Sequence, residues 1–173
     1  ICEHVNLYES IKYETSFNFY IAFPIIFLTH NMANKLIVVS EGVKKQFNHK
    51  FMIAKRNIKV IYNPVIDDAF KNNPVSKTLY WKKPFSLKLL SVGRLKKQKN
   101  FSYLIETLSL IKDLKYELLI VGDGEEYNKL SKLIKNLKLE DNIKLIGYKE
   151  DLNNYYFNAD IFILSSLWEG FGN

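Results

Sequence analysis

Several residue types are scarce in this sequence, and each shortage excludes a class of protein. A single cysteine, Cys2, among 173 residues excludes an internal disulfide framework and indicates a reducing compartment. No apolar run reaches the roughly 20 residues that a membrane-spanning helix needs. The most apolar stretch, 17–28, is shorter and contains Asn18 and Pro24. We predict that it forms a helix that is either buried or lies on a membrane surface. No secretory signal peptide is visible in the sequence.

Arginine is also scarce, although the chain is basic. Of the 25 Lys and Arg residues only two are arginines, Arg56 and Arg94, and the formal net charge is +7. This charge is compatible with nucleic acid, a membrane surface or an acidic substrate, and equally with an ordinary solvated surface. The 12 Phe, 11 Tyr and 2 Trp, with 47% hydrophobic residues, exclude a disordered chain and indicate a substantial core.

Two blocks of alternating strand and helix patterns flank a stretch that has no clear period. This stretch, 64–86, contains three of the four prolines and is predicted to be a linker. It separates a first block, 1–63, from a second block, 87–173.

Short apolar, β-branched runs predict strands, and amphipathic stretches predict helices. In the first block we predict the tail of a strand at 1–2, a helix at 15–34, a strand at 35–39, a helix from the capping residue Ser40 to about 51, and a strand at 58–62. In the second block we predict strands at 87–92, 117–121, 143–146 and 161–164, and helices at 100–110, 125–137 and 151–158. This order predicts the α/β class, with parallel sheets covered on both faces.

Three loops leave the carboxyl ends of the predicted strands, where an open α/β sheet binds its ligands. The first loop follows strand 87–92 and carries Arg94 and Lys99, a planar fork and a point charge that together suit one pyrophosphate. In the same loop, Lys96 and Lys97 are expected to be merely solvated.

The other two loops are weaker signals. Gly122-Asp123-Gly124 precedes a predicted helix, but such a tripeptide is usually only a tight turn. Gly147, Tyr148 and Lys149 follow strand 143–146 and offer backbone groups to a nucleotide base, although taken alone they indicate an ordinary loop. Beyond the last strand, Glu169 stands beside Gly170 and Gly172, and such glycines let backbone N–H groups approach a phosphate closely.

Taken together, these motifs resemble a known enzyme family. The segments VGRLKKQKNFSYLIETL, LLIVGDGEEYNKL and IKLIGYKEDLNNYYFNADIFILSSLWEGFGN are similar to the retaining GT-B glycosyltransferases of the bacterial group 1 (family 4) type. Upstream, ANKLIVVSEGVKKQF and IKVIYNP resemble the end of that family's N-terminal domain. The resemblance covers essentially the whole chain. It implies a GT-B fold of two Rossmann-like, doubly wound domains, here truncated at both ends, and hence an internal fragment of a longer enzyme. In this interpretation, 1–63 is the later part of the N-terminal, acceptor-side domain, and 87–173 is an incomplete nucleotide-sugar-binding domain.

The resemblance also implies roles for individual residues. Arg94 and Lys99 match the family's basic pair, which binds the donor diphosphate and stabilises the leaving nucleoside diphosphate. Glu169 matches the first of two family glutamates and would lie by the donor sugar, while the second glutamate would fall beyond Asn173. His4, just after a strand end and beside Glu3, resembles the histidine that faces the donor sugar. The implied donor-binding set is Gly93, Gly122, Gly147, Tyr148, Lys149, Gly170, Phe171 and Gly172.

The activity implied is transfer of a sugar from a nucleotide-diphosphate sugar, UDP-linked by expectation, to an acceptor hydroxyl with retention of configuration. Implied acceptors are lipid-linked sugars or polysaccharides in bacterial glycan synthesis. The implied location is the cytoplasm, with peripheral association at the inner face of the membrane. No cofactor and no catalytic metal are implied, and His and Cys spacing predicts no metal site. By itself the fragment is expected to be inactive.

Two alternatives stay open at this point. One is a nucleotide-sugar epimerase or a phosphorylase on the same scaffold; an epimerase would return an altered free sugar without glycosylating an acceptor. The other is a non-catalytic nucleotide-binding or RNA-binding module, which the charge of +7 allows. Salt-sensitive binding to oligonucleotides would favour that module, and preference for UDP over RNA would exclude it.

Overall fold

Two units, each built around a parallel sheet, make up the fold. The computed structural model describes residues 2–3, 7–14, 19–53, 58–63, 80–82, 86–111 and 113–170. One unit comprises Ile1–Asp67 together with Trp168–Asn173, and the other comprises Asp68–Leu167. The predicted domain limits 1–63, 64–86 and 87–173 stay a prediction, because most of 64–86 lies outside the described residues.

Short parallel strands form the sheet of the first unit. The described elements are β1 (Cys2–Glu3), α1 (Leu7–Glu14), α2 (Phe19–Met32), β2 (Leu36–Val38), α3 (Glu41–Lys50) and β3 (Ile58–Val60). The strand order is β1-β2-β3, with Glu3 paired to Val38 and Val38 paired to Val60. These strands therefore end at one level, as a parallel sheet of an α/β protein requires.

The first unit confirms α3 and most of the helix predicted at 15–34, whose first four positions, 15–18, lie outside the described residues. Ser40 caps α3, since its hydroxyl accepts the Val43 N–H at 3.2 Å. The structure has α2 at Phe19–Met32 and a separate helix, α1, which we did not predict. Leu7 and Ile11, four positions apart, place apolar side chains on one face of α1. An eight-residue helix offers too few such repeats to stand out.

Helix α2 is buried on one side only. Ile26 and His30 pack inward, and the His30 ring stacks on Phe47 with centroids 5.3 Å apart. On the outer side, Ile25 and Leu28 keep more than half of their surface exposed. The predicted burial is therefore confirmed for one face of α2, and the alternative of a helix on a membrane surface stays a prediction. In the part of the chain that the structure describes, no helix is long and apolar enough to cross a membrane.

Longer strands form the sheet of the second unit. The described elements are β4 (Leu87–Val92), a 3-10 turn (Lys97–Lys99), α4 (Phe101–Ser109), β5 (Tyr116–Val121), α5 (Tyr127–Asn136), β6 (Ile143–Gly147), α6 (Asn153–Asn158) and β7 (Ile161–Phe162). These strands pair in parallel, in the order β6-β5-β4-β7. The predicted strands and helices of this block are confirmed, and the largest differences are the late starts of α5 and α6 and the early end of β7.

Alternation along β4 and β5 gives this sheet two apolar faces. Leu89, Leu118 and Ile120 pack with α4 and α5 in one core cluster. Their neighbours Leu90 and Leu119 face the other way and pack with Trp81 and Tyr155 in a second cluster. Successive strand residues point to opposite faces, so an uninterrupted apolar run is buried on both sides. The predicted α/β class with a doubly covered parallel sheet is thereby confirmed.

Candidate functional site

The sheet of the second unit brings three glycine loops to one edge. β4 pairs with β5 at Val92 and Val121, and β5 pairs with β6 at Val121 and Gly147, so the three strands end together. Gly93 N–H donates to the Val121 carbonyl at 3.0 Å, and Gly122 N–H donates to the Gly147 carbonyl at 2.9 Å. The three loops that the sequence placed at strand ends are therefore hydrogen-bonded neighbours.

Glycine is required in the middle loop because another backbone comes very close to it. Gly122 has a φ of +143°, which L side chains rarely adopt, and a Cβ there would lie 2.0 Å from the Gly93 carbonyl oxygen. Gly124 is similar, since a Cβ there would lie 2.6 Å from the Leu95 carbonyl oxygen. Gly122-Asp123-Gly124 is therefore more than a tight turn, because the loop 93–99 packs directly against it.

Leu95 anchors the loop that carries the two predicted phosphate-binding cations. Its side chain is fully buried. Its N–H donates to the Asp123 carbonyl at 2.9 Å, and its carbonyl accepts from the Glu126 N–H at 2.9 Å. With Leu95 held inward from both sides, the preceding residue, Arg94, is exposed to solvent.

Lys99 reaches back to the start of the same loop. Its aliphatic stem lies over Gly93, where a Cβ would stand only 3.1 Å from the Lys99 Cε. Because Gly93 has no side chain, the stem can pass there, and the ammonium group bonded to that Cε lies near the beginning of the loop. Arg94 follows Gly93 directly, so the fold brings the positions of the two predicted cations together.

The electrostatic character of this loop favours anions. The segment 93–99 contains four basic and no acidic residues. Helix α4 begins two residues later, at Phe101, and its unpaired N-terminal amides add partial positive charge. The neighbouring carboxylate of Asp123 is engaged within its own turn, where it accepts the Gly124 N–H at 2.7 Å. Such a loop can bind a group with two negative charges, for example a diphosphate.

The strand order reverses beside this loop. Along the chain the sheet grows from β4 through β5 to β6, and then β7 is added on the other side of β4. An open α/β sheet binds ligands outside the carboxyl ends of its strands at such a switch point. The exit from β7 is fixed here, because Ile163 N–H donates to the Leu90 carbonyl at 2.8 Å and Ser91 Oγ donates to the Ile163 carbonyl at 2.6 Å.

The segment after β7 then runs along the 3-10 turn. Ser165 Oγ donates to the Lys99 carbonyl at 2.8 Å, and Leu167 N–H donates to the Gln98 carbonyl at 2.8 Å. These bonds hold the backbone of Lys99 from the side of the switch point. The backbone of Lys99 is therefore fixed beside the exits of β4 and β7.

Glu169 and Gly170 belong to the first unit. Trp168 before them is buried, and Glu169 is half-buried. The Gly170 carbonyl accepts a hydrogen bond of 2.7 Å from the hydroxyl of Ser40, the residue that also caps α3. The acidic segment is thus tied to the carboxyl end of β2, through a contact that spans 130 residues of sequence.

The remaining predicted site residues have mixed outcomes. Gly147 has a φ of +79°, and the two residues after it, Tyr148 and Lys149, are exposed, so their side chains make no wall of a closed pocket. His4, Phe171 and Gly172 lie outside the described residues.

Sequence reasoning missed the residues that hold the site together. Ser91 and Ser165 bond backbone carbonyls from distant parts of the chain, and no local pattern indicates such pairs. Asn100 adopts the left-handed conformation, with φ 52° and ψ 40°, between the 3-10 turn and α4. A signal for this existed, because asparagine tolerates that conformation better than most residues. We had instead placed Asn100 in the helix.

Comparison with known families gives these loops a context. The model of the family "Glycosyl transferases group 1" matches residues 81–173, which is more than half of the chain. The chain belongs to the group 1 glycosyl transferases. The matched residues of this group 1 chain include the whole sheet of the second unit, its glycine loops and the segment from Trp168 to Asn173.

Individual relatives agree with this assignment. The chain is 31% identical over 166 residues to the Campylobacter jejuni N-acetylgalactosamine-N,N'-diacetylbacillosaminyl-diphospho-undecaprenol 4-alpha-N-acetylgalactosaminyltransferase, a match covering 95% of the chain and 44% of the relative. A glycosyltransferase structure from Rickettsia africae is 27% identical with a TM-score of 0.71, covering 83% of this chain and 42% of that one. The pneumococcal O-GlcNAc transferase GtfA, in complex with UDP and GlcNAc, is 26% identical with a TM-score of 0.65, covering 99% of this chain and 33% of that one.

The fold of these relatives is GT-B, as the sequence predicted, and the parallel sheets described above are parts of its Rossmann-like domains. The chain spans less than half the length of each relative named here.

Proposed function

We propose that this chain forms part of an enzyme that transfers a sugar from a nucleotide-diphosphate sugar to an acceptor hydroxyl, with retention of anomeric configuration. The observation that carries the proposal is the basic loop at the switch point. Lys99 is packed over Gly93 beside Arg94, in a chain that belongs to the group 1 glycosyl transferases. In this proposal both cations hold the donor diphosphate and stabilise the charge that develops on it as the sugar departs.

The surroundings of the loop support a nucleotide donor. Backbone hydrogen bonds join the loops at Gly93, Gly122 and Gly147 into one rigid edge, which can present amides and carbonyls without reorganisation. We propose that the stretch Gly147-Tyr148-Lys149 meets the base through backbone groups. GtfA was solved with UDP, and this likeness is our reason for proposing a UDP-linked donor.

The segment from Glu169 to Gly172 is assigned to the sugar end of the donor. We propose that Glu169 lies by the donor sugar, while the amides of Gly170, Phe171 and Gly172 meet sugar and phosphate. We propose that His4 also faces the donor sugar. These assignments come from the match of motifs. They place Glu169 and His4 at the sugar, whereas Arg94 and Lys99 are assigned to the diphosphate.

We infer the acceptor class from the relatives. The Campylobacter relative is named for a sugar carried on diphospho-undecaprenol, which is a lipid-linked acceptor. Another relative, 28% identical, is an amylovoran biosynthesis glycosyltransferase of Erwinia amylovora. We therefore propose a lipid-linked or polysaccharide acceptor in bacterial glycan synthesis, at a cytoplasmic site with peripheral membrane association. The exposed apolar face of α2 supports that association. Nucleic acid is not a proposed partner.

Product analysis tests this function. The complete gene product is incubated with UDP-glucose, UDP-N-acetylglucosamine or UDP-N-acetylgalactosamine and a lipid-linked acceptor. We expect release of UDP together with a glycosylated acceptor whose new bond keeps the donor's anomeric configuration. An altered free sugar with no glycosylated acceptor would identify an epimerase instead, and an inverted linkage would contradict retention.

A further inference from the structure

Ser40 makes two hydrogen bonds that serve different parts of the molecule. Its hydroxyl oxygen accepts the Val43 N–H at 3.2 Å, and the same hydroxyl donates to the Gly170 carbonyl at 2.7 Å. A hydroxyl has one proton to donate, so the proton of Ser40 is committed to Gly170. Capping a helix needs only the acceptor, and the donated bond is therefore an additional contact that the cap does not explain.

The location of Ser40 makes the donated bond rigid. The residue lies two positions after the end of β2, and Val39 between them is buried. Its backbone is extended, with φ −155° and ψ 159°, and its carbonyl accepts the Lys44 N–H at 3.1 Å as the first bond of α3. The hydroxyl thus projects from a strand-to-helix junction that is held on both sides, and its rotation is limited by the capping bond.

A hydrogen bond to the Gly170 carbonyl fixes the direction of that carbonyl. A glycine has wide conformational freedom, and a hydrogen bond to its carbonyl removes much of it. Ser40 therefore restricts the backbone of Gly170, in the segment that we assign to the donor sugar and phosphate.

We propose that Ser40 is a positioning residue for sugar transfer, which acts by orienting the Glu169–Gly170 segment through the Gly170 carbonyl. The inference rests on the proposed function, because it assigns a purpose to a segment of the same site. The inference adds Ser40, which lies between β2 and α3 of the first unit and is distant in sequence from the proposed donor contacts of the second unit.

Three substitutions separate positioning from capping. Ser40→Asp keeps an N-cap of similar quality, but an ionised carboxylate can only accept, and it would face the Gly170 carbonyl oxygen. Ser40→Gly retains most of the cap and lacks the donor. Ser40→Thr keeps both bonds and is the matched control.

In the complete gene product, affinities for UDP and for the UDP-sugar that it transfers are measured by calorimetry for each variant. One hydrogen bond corresponds to roughly a fivefold to tenfold change. We expect Ser40→Asp and Ser40→Gly to lower the affinity for the UDP-sugar relative to UDP by about that factor, and kcat/KM by at least as much. UDP affinity should fall by less, because UDP lacks the sugar assigned to Glu169. Thermal stability should stay close to wild type, and Ser40→Thr should resemble wild type throughout. Parallel losses in UDP affinity, UDP-sugar affinity and stability would show a merely structural role and overturn the proposal.

A readout without ligand keeps the inference separate from the proposed function. The 173-residue chain has two tryptophans, so its ¹H–¹⁵N spectrum has two indole signals, which Trp168→Phe assigns. We expect Ser40→Asp to shift the Trp168 signal, two residues from Gly170, and to leave the Trp81 signal unchanged. An unshifted Trp168 signal would overturn the inference even if UDP binds. A shifted signal in a protein that never binds UDP would contradict the proposed function alone.

Discussion

The carboxyl edges of the two sheets are built in different ways. In the second unit, backbone segments contact one another directly at Gly93, Gly122 and Gly147. The predicted cations, Arg94 and Lys99, lie in the loop that begins at Gly93. In the first unit, one hydroxyl, that of Ser40, makes the long-range connection to Gly170. Closely packed backbone segments leave no room for added side chains, whereas a side-chain contact can be removed with little change to the fold. The two edges should therefore respond very differently to substitution.

The strongest contrast is expected between two glycines. In Gly122→Ala the new Cβ would lie 2.0 Å from the Gly93 carbonyl oxygen, so backbone must move. We expect this variant to lose about 3 kcal/mol or more of unfolding free energy. In Gly42→Ala, inside α3 of the first unit, the nearest atom is the Ser40 Oγ at 3.7 Å, so we expect a gain of up to about 1 kcal/mol.

Urea denaturation of both alanine variants measures this contrast directly. A Gly122→Ala variant as stable as wild type would mean that the loops are not packed as described. A Gly42→Ala variant that loses stability would show that the first unit is as intolerant of side chains as the second.

The next largest effect is expected on catalysis, for substitutions in the basic loop 93–99. In the complete gene product, Arg94→Ala or Lys99→Ala should lower turnover by roughly 10²-fold or more, because each removes a preorganised charge that stabilises the leaving diphosphate. Lys97→Ala is the matched control, since this exposed lysine lies in the same loop and its backbone bonds are kept. Steady-state sugar transfer gives the comparison. Equal turnover in all three variants would remove the phosphate role.

A smaller effect concerns the interior of the second unit at high pH. Burial raises the pKa of Tyr116 above its ordinary value of 10.0, and its hydroxyl donates to the Leu108 carbonyl at 3.1 Å. Below pH 10 the phenol is neutral in both folded and unfolded chains, so its contribution to stability is fully present. Above pH 10 the unfolded chain ionises first, and that contribution is lost as the pH rises through the raised pKa.

Tyr116→Phe removes the hydroxyl and so measures its contribution to the unfolding free energy. At pH 8 the variant should be about 1 kcal/mol less stable than wild type, since it lacks one buried hydrogen bond. The difference should shrink as the pH rises above 10, because phenylalanine does not ionise, while the lysines titrate alike in both proteins. Denaturation at several pH values measures the difference. A gap that stays constant or widens would contradict the raised pKa.

The two units also differ in how far their sequences predict them. The second unit was predicted well, because β4 and β5 are six-residue strands with mostly apolar sequences, LKLLSV and YELLIV, of the kind that a doubly covered parallel sheet buries. In the first unit, strands of two or three residues carry little pattern, and α1 was missed. The positions of Gly93, Gly122 and Gly147 at strand ends followed from order alone.

Contacts between distant segments could not be predicted. The bond from Ser165 to the Lys99 carbonyl spans 66 residues, and the bond from Ser40 to Gly170 spans 130. A serine in a loop has many partners within reach, and only the folded chain selects one. The cations and glycines of the proposed site are therefore recognisable in the sequence, and their role stays a prediction, whereas the contacts that hold these loops in place were not predictable.

The most direct test of the central claim is a titration of the 173-residue chain with UDP, followed by ¹H–¹⁵N spectra. The proposed site predicts that amide signals of Gly93, Arg94 and Gly122 shift with UDP. It also predicts that Arg94→Ala and Lys99→Ala weaken binding at least tenfold, while Lys97→Ala does not. Shifts confined to other surfaces, or equal binding by all three variants, would contradict it.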